Sequence, residues 1–409
     1  MSVLQINSFN HGSTGNIMIE LRNEMIKKGI ESYVSVPNSK SNQAFEIDTD
    51  PIYIGNRLDR NIHNTFSRIN GKGGEYSKLV TLNLIKKIEK MHIKVVHLHN
   101  LHDSYINLKL LFSFFKKKNI EVIWTLHDCW AFTGGCTHFT SVNCLKWQNE
   151  CNNCPLHKNF YPKSLIDNTK KMYNIKKKYF SELENMTIVV PSHWLKGVVE
   201  KSFLKKYKIK VINNGIDLEV FNKRKISKEF LSLHKGKKII LGVSSIWNER
   251  KGLYKFINLA KRLDSRTYQV ILVGLTKSQI ENLPKEIIGI ERTNSLDKLS
   301  ELYSLADLFV NASLEETAGL VTLEALACGT PVLVADSTAL KEYTSKETSL
   351  IVKNGTVDEF YNAITKYFEI DSKNFNEFDC IKRAKKFSKI NMREKYIDLY
   401  LEKLSNYNV

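Results

Sequence analysis

No stretch of about 18 consecutive apolar residues occurs in the 409-residue chain, so the sequence offers no membrane-spanning helix. The first residues, MSVLQINSF, lack the basic start and long apolar core of a secretory leader. The expectation is a cytoplasmic protein, with peripheral attachment to the inner face of the cell membrane left open. There is no short-period repeat and no low-complexity linker. The glycines after the first apolar run, Gly12 and Gly15, do not have the G-x-G-x-x-G spacing, so a nicotinamide cofactor is not implied. His97, His99 and His102 crowd one short stretch, VVHLHNLH, but none has the helical zinc spacing H-E-x-x-H. No recognised nucleic-acid motif is present, and no nucleic-acid partner is expected.

The charge that is present is one-sided. The formal net charge is +18. Residues 51–210 carry 27 Lys or Arg against 11 Asp or Glu, so almost all the excess lies in the first half. Such a half attracts phosphates or an anionic membrane surface. A lysine-rich composition accounts for many of these residues but not for their concentration. With 42% hydrophobic and 25% charged residues the chain is globular, and its length suggests two domains.

Short Val- and Ile-rich runs alternate with helical stretches: VLQIN, KVVHLH, EVIWTLH, TIVV, IKVIN, KIILGVSS, YQVILVG, DLFVNA, PVLVA and SLIV. They are mostly continuous rather than alternating, as strands covered on both faces should be. Strand then helix, repeated, predicts α/β architecture with parallel sheets. The series restarts at KIILGVSS after a polar basic stretch. The expectation is two facing Rossmann-like, doubly wound domains with a cleft between them. Residues 1–220 would form the first domain and 221–389 the second, and a helix over about 390–409 would pack back on the first. Ligands would meet the carboxyl ends of the strands. Gly12 and Gly15 sit in such a strand-to-helix loop, where backbone amides can meet an anion.

The stretch EETAGLVTLEALACGTP, residues 315–331, reads as a loop, a helix from Leu320 to Ala327, a glycine stop and a buried strand. Glu324 lies in the middle of that helix. A carboxylate there must be solvated, paired or hydrogen-bonded, because burying it alone is costly. A solvated helix edge is the ordinary explanation for one such residue.

Taken together with WTLHDCWAFTGGC, VVPSHWL, INNGIDLEVF, GVSSIWNERKGL and SLADLFVNAS, this stretch resembles the glycosyltransferase family 4 enzymes of the GT-B fold. The likeness runs over nearly the whole chain and is strongest to bacterial polysaccharide enzymes of the colanic-acid type. The resemblance implies a retaining transferase that moves a sugar from a UDP- or GDP-sugar donor to a lipid-linked or saccharide acceptor, with residues 1–220 as the acceptor side and 221–389 as the nucleotide-sugar side. It implies that Glu316 lies over the donor sugar and that Glu324 binds the nucleotide ribose. The amides of Ala318, Gly319 and Leu320 would hold phosphate and sugar, and Lys251 would neutralise the diphosphate. Many relatives place an arginine five residues before that lysine; Ile246 stands there, and Arg250 is the nearest substitute. His127, at the end of EVIWTL, would orient the donor sugar. The family needs no catalytic metal, since Lys and helix amides take its place.

Cys136, Cys144, Cys151 and Cys154 are spaced C-x7-C-x6-C-x2-C. Four thiolates could hold a structural zinc, although the first interval is wide for the common patterns. Reduced buried thiols are the other reading. The segment NLKLLFSFFKKKNIE, with Lys116, Lys117 and Lys118, is either a membrane contact or, more simply, a crossover helix with a solvated end. Alternatives to a transferase are a nucleic-acid-binding protein and a GT-B sugar-nucleotide epimerase.

Overall fold

The computed structural model describes residues 2–45, 47, 50–158, 163–234 and 236–406. The chain divides into two compact units. One comprises Met1–Ile212 with Arg393–Val409, the other Asn213–Met392.

The first unit is built on seven strands: β1 (Ser2–Ile6), β2 (Glu31–Pro37), β3 (Ile52–Ile54), β4 (Val95–Leu98), β5 (Glu121–Thr125), β6 (Met186–Val190) and β7 (Lys208–Val211). All pairs are parallel, in the order β3-β2-β1-β4-β5-β6-β7. The second unit holds β8 (Lys238–Val243), β9 (Tyr268–Val273), β10 (Ile287–Ile290), β11 (Leu308–Asn311), β12 (Val332–Ala335) and β13 (Ser349–Val352). Their order is β10-β9-β8-β11-β12-β13, again parallel.

The continuous apolar runs have the cause the pattern suggests. In β8, Ile239 and Leu241 join one core cluster while Ile240 joins another. In β12, Val332 and Val334 belong to the first cluster and Leu333 and Ala335 to the second. Successive side chains point to opposite faces, and both faces are packed, so neither can be polar. All ten apolar runs read as strands form strands. β2, β3 and β10 were not foreseen: ESYVSVP mixes polar with apolar positions and ends in proline, IYI has three residues, and IIGI contains a glycine.

Each sheet reverses its winding at one place, between β1 and β4 and between β8 and β11. There the loops after the strands diverge and leave a crevice at their carboxyl ends. The loops 7–12 and 99–103 meet at the first of these points, and 244–252 and 312–316 at the second.

The helix Leu108–Lys118 buries Leu108, Leu111, Phe112, Phe114 and Phe115. Its lysine end is exposed, with Lys116 paired to Glu182 and Lys118 to Glu89. This is the crossover helix with a solvated end; its apolar face is inside the unit and is not a membrane contact. The last helix, Lys389–Ser405, brings Tyr396 to Thr125 and Tyr400 to His97.

Leu241 is fully buried in the central strand of the second sheet. Leu241→Ala should cost about 2–5 kcal/mol, read as a lower denaturant midpoint of the full chain at unchanged slope.

Candidate active site

In the second unit the sequence candidates come together around one loop. Lys251 follows β8 and is held by its own turn, in which its N–H donates to Asn248 Oδ1 at 3.0 Å. Gly252 takes φ 78°, and a Cβ there would stand 2.6 Å from the carbonyl oxygen of Ala312, so only glycine lets the two loops approach. Across that approach the Lys251 ammonium pairs with the Glu316 carboxylate. Both side chains are largely buried, with 19% and 11% of their surface exposed. Burial alone would raise the Glu316 pKa; Lys251, then Arg250 and Ser313, hold it below the ordinary carboxylate value.

Arg250 supports the same loop. Its Nη1 donates to the Glu315 carbonyl at 2.9 Å, and its own carbonyl accepts from Leu314 N at 2.8 Å. The Glu316 amide donates to Thr338 Oγ1 at 2.8 Å. The loop is therefore fixed from both sides before any ligand arrives. Arg250 thus reaches the Glu315–Glu316 segment.

Gly319 has φ 69° and precedes the helix Leu320–Ala327. A Cβ on it would meet Leu340 Cδ2 at 2.6 Å. Ala318 is buried beside it. The first N–H groups of such a helix have no partner within the helix and carry its positive end.

Glu324 is not a solvated edge. Its Oε2 accepts from the Tyr303 hydroxyl at 2.7 Å. Burial pushes its carboxyl up to about 7, with the Tyr303 hydrogen bond acting the other way. One flank remains part-exposed, and a pair of vicinal hydroxyls would satisfy a carboxylate there. Tyr303 was not foreseen: one tyrosine in the helical run LDKLSELYSL looks like any core aromatic.

In the first unit His127 stands two residues beyond β5. Its Nε2 lies 3.0 Å from His99 Nδ1, and the rings are stacked 5.3 Å apart. His99 Nε2 in turn lies 3.2 Å from Gln5 Oε1, while Gln5 Nε2 donates to the Met18 carbonyl. That last bond leaves the Gln5 oxygen as an acceptor, so His99 Nε2 carries hydrogen and Nδ1 does not. His127 must then donate from Nε2, and its Nδ1 holds the lone pair. Burial pushes the His127 pKa down to about 4, with Asp128 opposing and His102 assisting. His97 is structural, its two nitrogens bonded to Tyr400 and Thr125. His102 pairs with Asp128 at 3.1 Å; burial opposes its charge, and the Asp128 carboxylate outweighs it.

Gly12, with φ 70°, starts the helix Gly12–Lys27. At Gly15 a Cβ would stand 2.5 Å from Asn10 C, so the loop after β1 can lie against this helix only over glycine. Asn10, His11 and Gly12 line a cavity with Phe45 and Glu20.

Cys136, Cys144, Cys151 and Cys154 line one small cavity, and none of the seven cysteines is in a disulfide. Burial raises Cys136, Cys154 and, to about 11, Cys151, so these are neutral thiols at pH 7. Among the described residues no group of three His, Cys, Asp or Glu side chains is placed to hold a metal ion. The one Asp-x-Asp triplet, Asp48-Thr49-Asp50, has its first two members outside the described residues. Beside the thiols the buried Lys176 donates to the carbonyls of Trp130 and Thr133 at 2.7 and 3.2 Å and lies over the Trp130 ring. It is the first of a run of three lysines, Lys176 to Lys178.

The family model described as Glycosyltransferase Family 4 matches residues 14–220, just over half of the chain. The chain belongs to glycosyltransferase family 4. A second model, Glycosyl transferases group 1, matches residues 237–369 of this family 4 chain. Over 272 residues it is 27% identical to the putative colanic acid biosynthesis glycosyl transferase WcaC of Escherichia coli K12, covering 62% of each chain. It is 26% identical over 174 residues to a processive diacylglycerol alpha-glucosyltransferase of Acholeplasma laidlawii, covering 39% of this chain and 52% of that one. An Escherichia coli UDP-Gal:alpha-D-GlcNAc-diphosphoundecaprenol alpha-1,3-galactosyltransferase is 25% identical over 232 residues, 50% of this chain and 58% of its own. The chain thus spans between half and two thirds of the length of these relatives. Among solved structures, sucrose-phosphate synthase from Thermosynechococcus elongatus superposes with a TM-score of 0.69 at 16% identity, over 99% of this chain and all of that one. Anabaena HepE in complex with UDP-glucose gives 0.67 at 14% identity, over 98% of this chain and all of that one. The family 4 chain has the GT-B fold.

The histidines make its stability pH-dependent. Burial lowers His63 and His127 to about 4, His97 to about 3, and His99 well below its ordinary value. The unfolded chain takes up these protons near pH 6.5 and the folded chain does not. Stability is therefore complete above pH 6.5 and lost as pH falls towards about 4. Glu324, raised to about 7, and His102, whose pKa Asp128 raises against the pull of burial, act in the opposite sense. The urea midpoint should fall steadily from pH 7.5 to 4.5, and His99→Asn should flatten the slope; a midpoint that rises over this range contradicts the assignment.

All seven cysteines should alkylate when the protein is unfolded in chelator without reductant. Two protected pairs would mean disulfides. The same preparation assayed for zinc before unfolding tests the metal: one ion per chain supports it and none removes it.

Proposed function

We propose that this protein transfers a sugar, with retention of configuration, from a nucleotide-diphosphate sugar to a lipid-linked or oligosaccharide acceptor in the synthesis of a bacterial surface polysaccharide. The observation that carries the reading is the buried Lys251–Glu316 pair beside the Gly319 helix start, at the switch point of the second sheet.

The donor's diphosphate would meet Lys251, Arg250 and the amides of Ala318, Gly319 and Leu320. As the sugar–phosphate bond breaks, negative charge grows on the leaving group. A cation and fixed N–H dipoles already in place strengthen their contact as it grows, which lowers the barrier rather than only tightening binding. In the free protein Lys251 is neutralised by Glu316; a diphosphate would share that lysine and release part of the carboxylate toward the sugar. Glu324 would accept from ribose hydroxyls, which favour its ionised form. In the first unit, His127 would bind a sugar hydroxyl. In a retaining transfer no carboxylate need attack; the acceptor's proton can pass to the leaving phosphate, and the protein positions and stabilises charge.

A UDP-sugar is the favoured donor, because HepE is described with UDP and with UDP-glucose. A lipid diphosphate is the favoured acceptor, in keeping with the relative named for diphosphoundecaprenol. Such an acceptor would place the protein at the inner face of the cell membrane. Among the described residues no helix is long and apolar enough to cross it.

A thermal-shift panel of UDP-, GDP- and ADP-sugars should show stabilisation by the true donor, since a ligand that binds only the folded state raises the melting temperature. With that donor, Glu316→Gln and Lys251→Ala should each lower turnover about 10²–10³-fold with the far-ultraviolet spectrum unchanged. Near-normal turnover in both variants would remove the site assignment.

A further inference from the structure

The helix Arg57–Asn70 is mounted with its apolar side outward. Leu58, Ile62, Phe66 and Ile69 recur at intervals of four, four and three, which places them on one face. They are 69%, 48%, 47% and 44% exposed. The residues it buries are polar: His63 and Ser67.

This orientation is held by specific bonds. His63 Nδ1 lies 2.7 Å from Ser77 Oγ, and His63 Nε2 accepts from Gly74 N at 3.1 Å. Ser77 Oγ donates to Asp59 Oδ2 at 2.6 Å. Arg60 pairs with Asp103 at 3.3 Å. Rolling the leucine and isoleucines inward would break all four. At the far end Gly71 turns the chain with φ 67°. There Leu165 and Ile166 donate their amides to the carbonyls of Arg68 and Ile69, at 2.8 and 3.1 Å. Both of their side chains are exposed and extend the apolar strip beyond the helix. The Tyr76 ring stacks on Phe66, 5.5 Å away.

The border of the strip is basic. Arg57, Arg68, Lys78 and Lys163 are exposed, while the one carboxylate of the helix, Asp59, is turned toward Ser77. An apolar strip with a basic border fits a bilayer interface: side chains enter the boundary of the acyl chains and cations meet lipid phosphates. A second copy of the chain fits less well. A two-fold contact lays the patch on itself and sets these cations against one another.

We propose that this face docks the first unit on an anionic lipid surface. The place also suits the acceptor proposed above, on which this purpose, though not the binding itself, depends. Asp103, the partner of Arg60, adjoins His102, and His102 bonds Asp128, next to His127. A lipid headgroup at the helix would thus lie near the loops that follow β4 and β5.

The test is co-sedimentation of the full chain with vesicles of equal parts phosphatidylglycerol and phosphatidylcholine, and with phosphatidylcholine alone. Binding should require phosphatidylglycerol and weaken as salt rises. The double variant Ile62→Glu, Phe66→Glu should lower it by about tenfold or more, and Arg57→Gln with Arg68→Gln several-fold at low salt. Lys116→Gln, Lys117→Gln and Lys118→Gln together should change it less than either pair. Unchanged donor thermal shifts in all variants show that the site of the second unit is intact, so a loss of vesicle binding reads on this face alone. Full vesicle binding by the Ile62, Phe66 variant overturns the proposal. So does light scattering that shows a dimer of the native chain which this variant dissolves.

Discussion

A parallel strand packed on both faces has no room for a charged side chain along its length. Its hydrogen bonds go to its neighbours and its side chains to two cores, as Ile239, Ile240 and Leu241 show. Chemistry is thereby driven to the strand ends, and the reversal of winding decides which ends. Lys251 follows β8, Glu316 follows β11, and β8 and β11 are adjacent. The ion pair between them is a consequence of strand order: two loops that leave neighbouring strands at a switch point face each other, and Gly252 lets them close. In the first unit β1, β4 and β5 bring Gln5, His99 and His127 together in the same way.

Much of this was legible in the chain. The strands buried on both faces announced themselves as continuous apolar runs, and the glycine stop at Cys328–Gly329 is where the helix ends, with Gly329 at φ 83°. The spacing of Glu316 and Glu324 was visible, and so was their separation from Lys251. What could not be read was partnership. Tyr303 lies 21 residues from Glu324, Thr338 22 from Glu316 and Gln5 94 from His99. Nothing local marks such residues, because each is an ordinary member of its own element until the sheet brings it to the other.

Amphipathicity left two readings open in one instance for a related reason. The run LKLLFSFFKKK and the run RLDRNIHNTFSRIN are both amphipathic, and the first is the more apolar. Periodicity shows that a helix has two sides, but not which side the fold covers. The more apolar helix packs on the sheet, and the less apolar one is pinned by His63, Asp59 and Arg60 with its leucine and isoleucines outward. Hydrogen bonds, not hydrophobic content, set that choice.

The closing helix has a bearing on how the chain is made. His97 is fully buried in the middle of the first sheet, and one of its nitrogens is matched by the hydroxyl of Tyr400, 303 residues further on. Thr125 likewise meets Tyr396, 271 residues away. During synthesis the first 212 residues leave the ribosome long before these tyrosines exist. Until then the nascent first unit carries a histidine and a threonine short of partners beside an uncovered part of its sheet. The second unit has no such debt, since it is one continuous segment, Asn213–Met392. The first unit is thus completed only after the whole second unit has been made, by the slow closure of a loop of some three hundred residues.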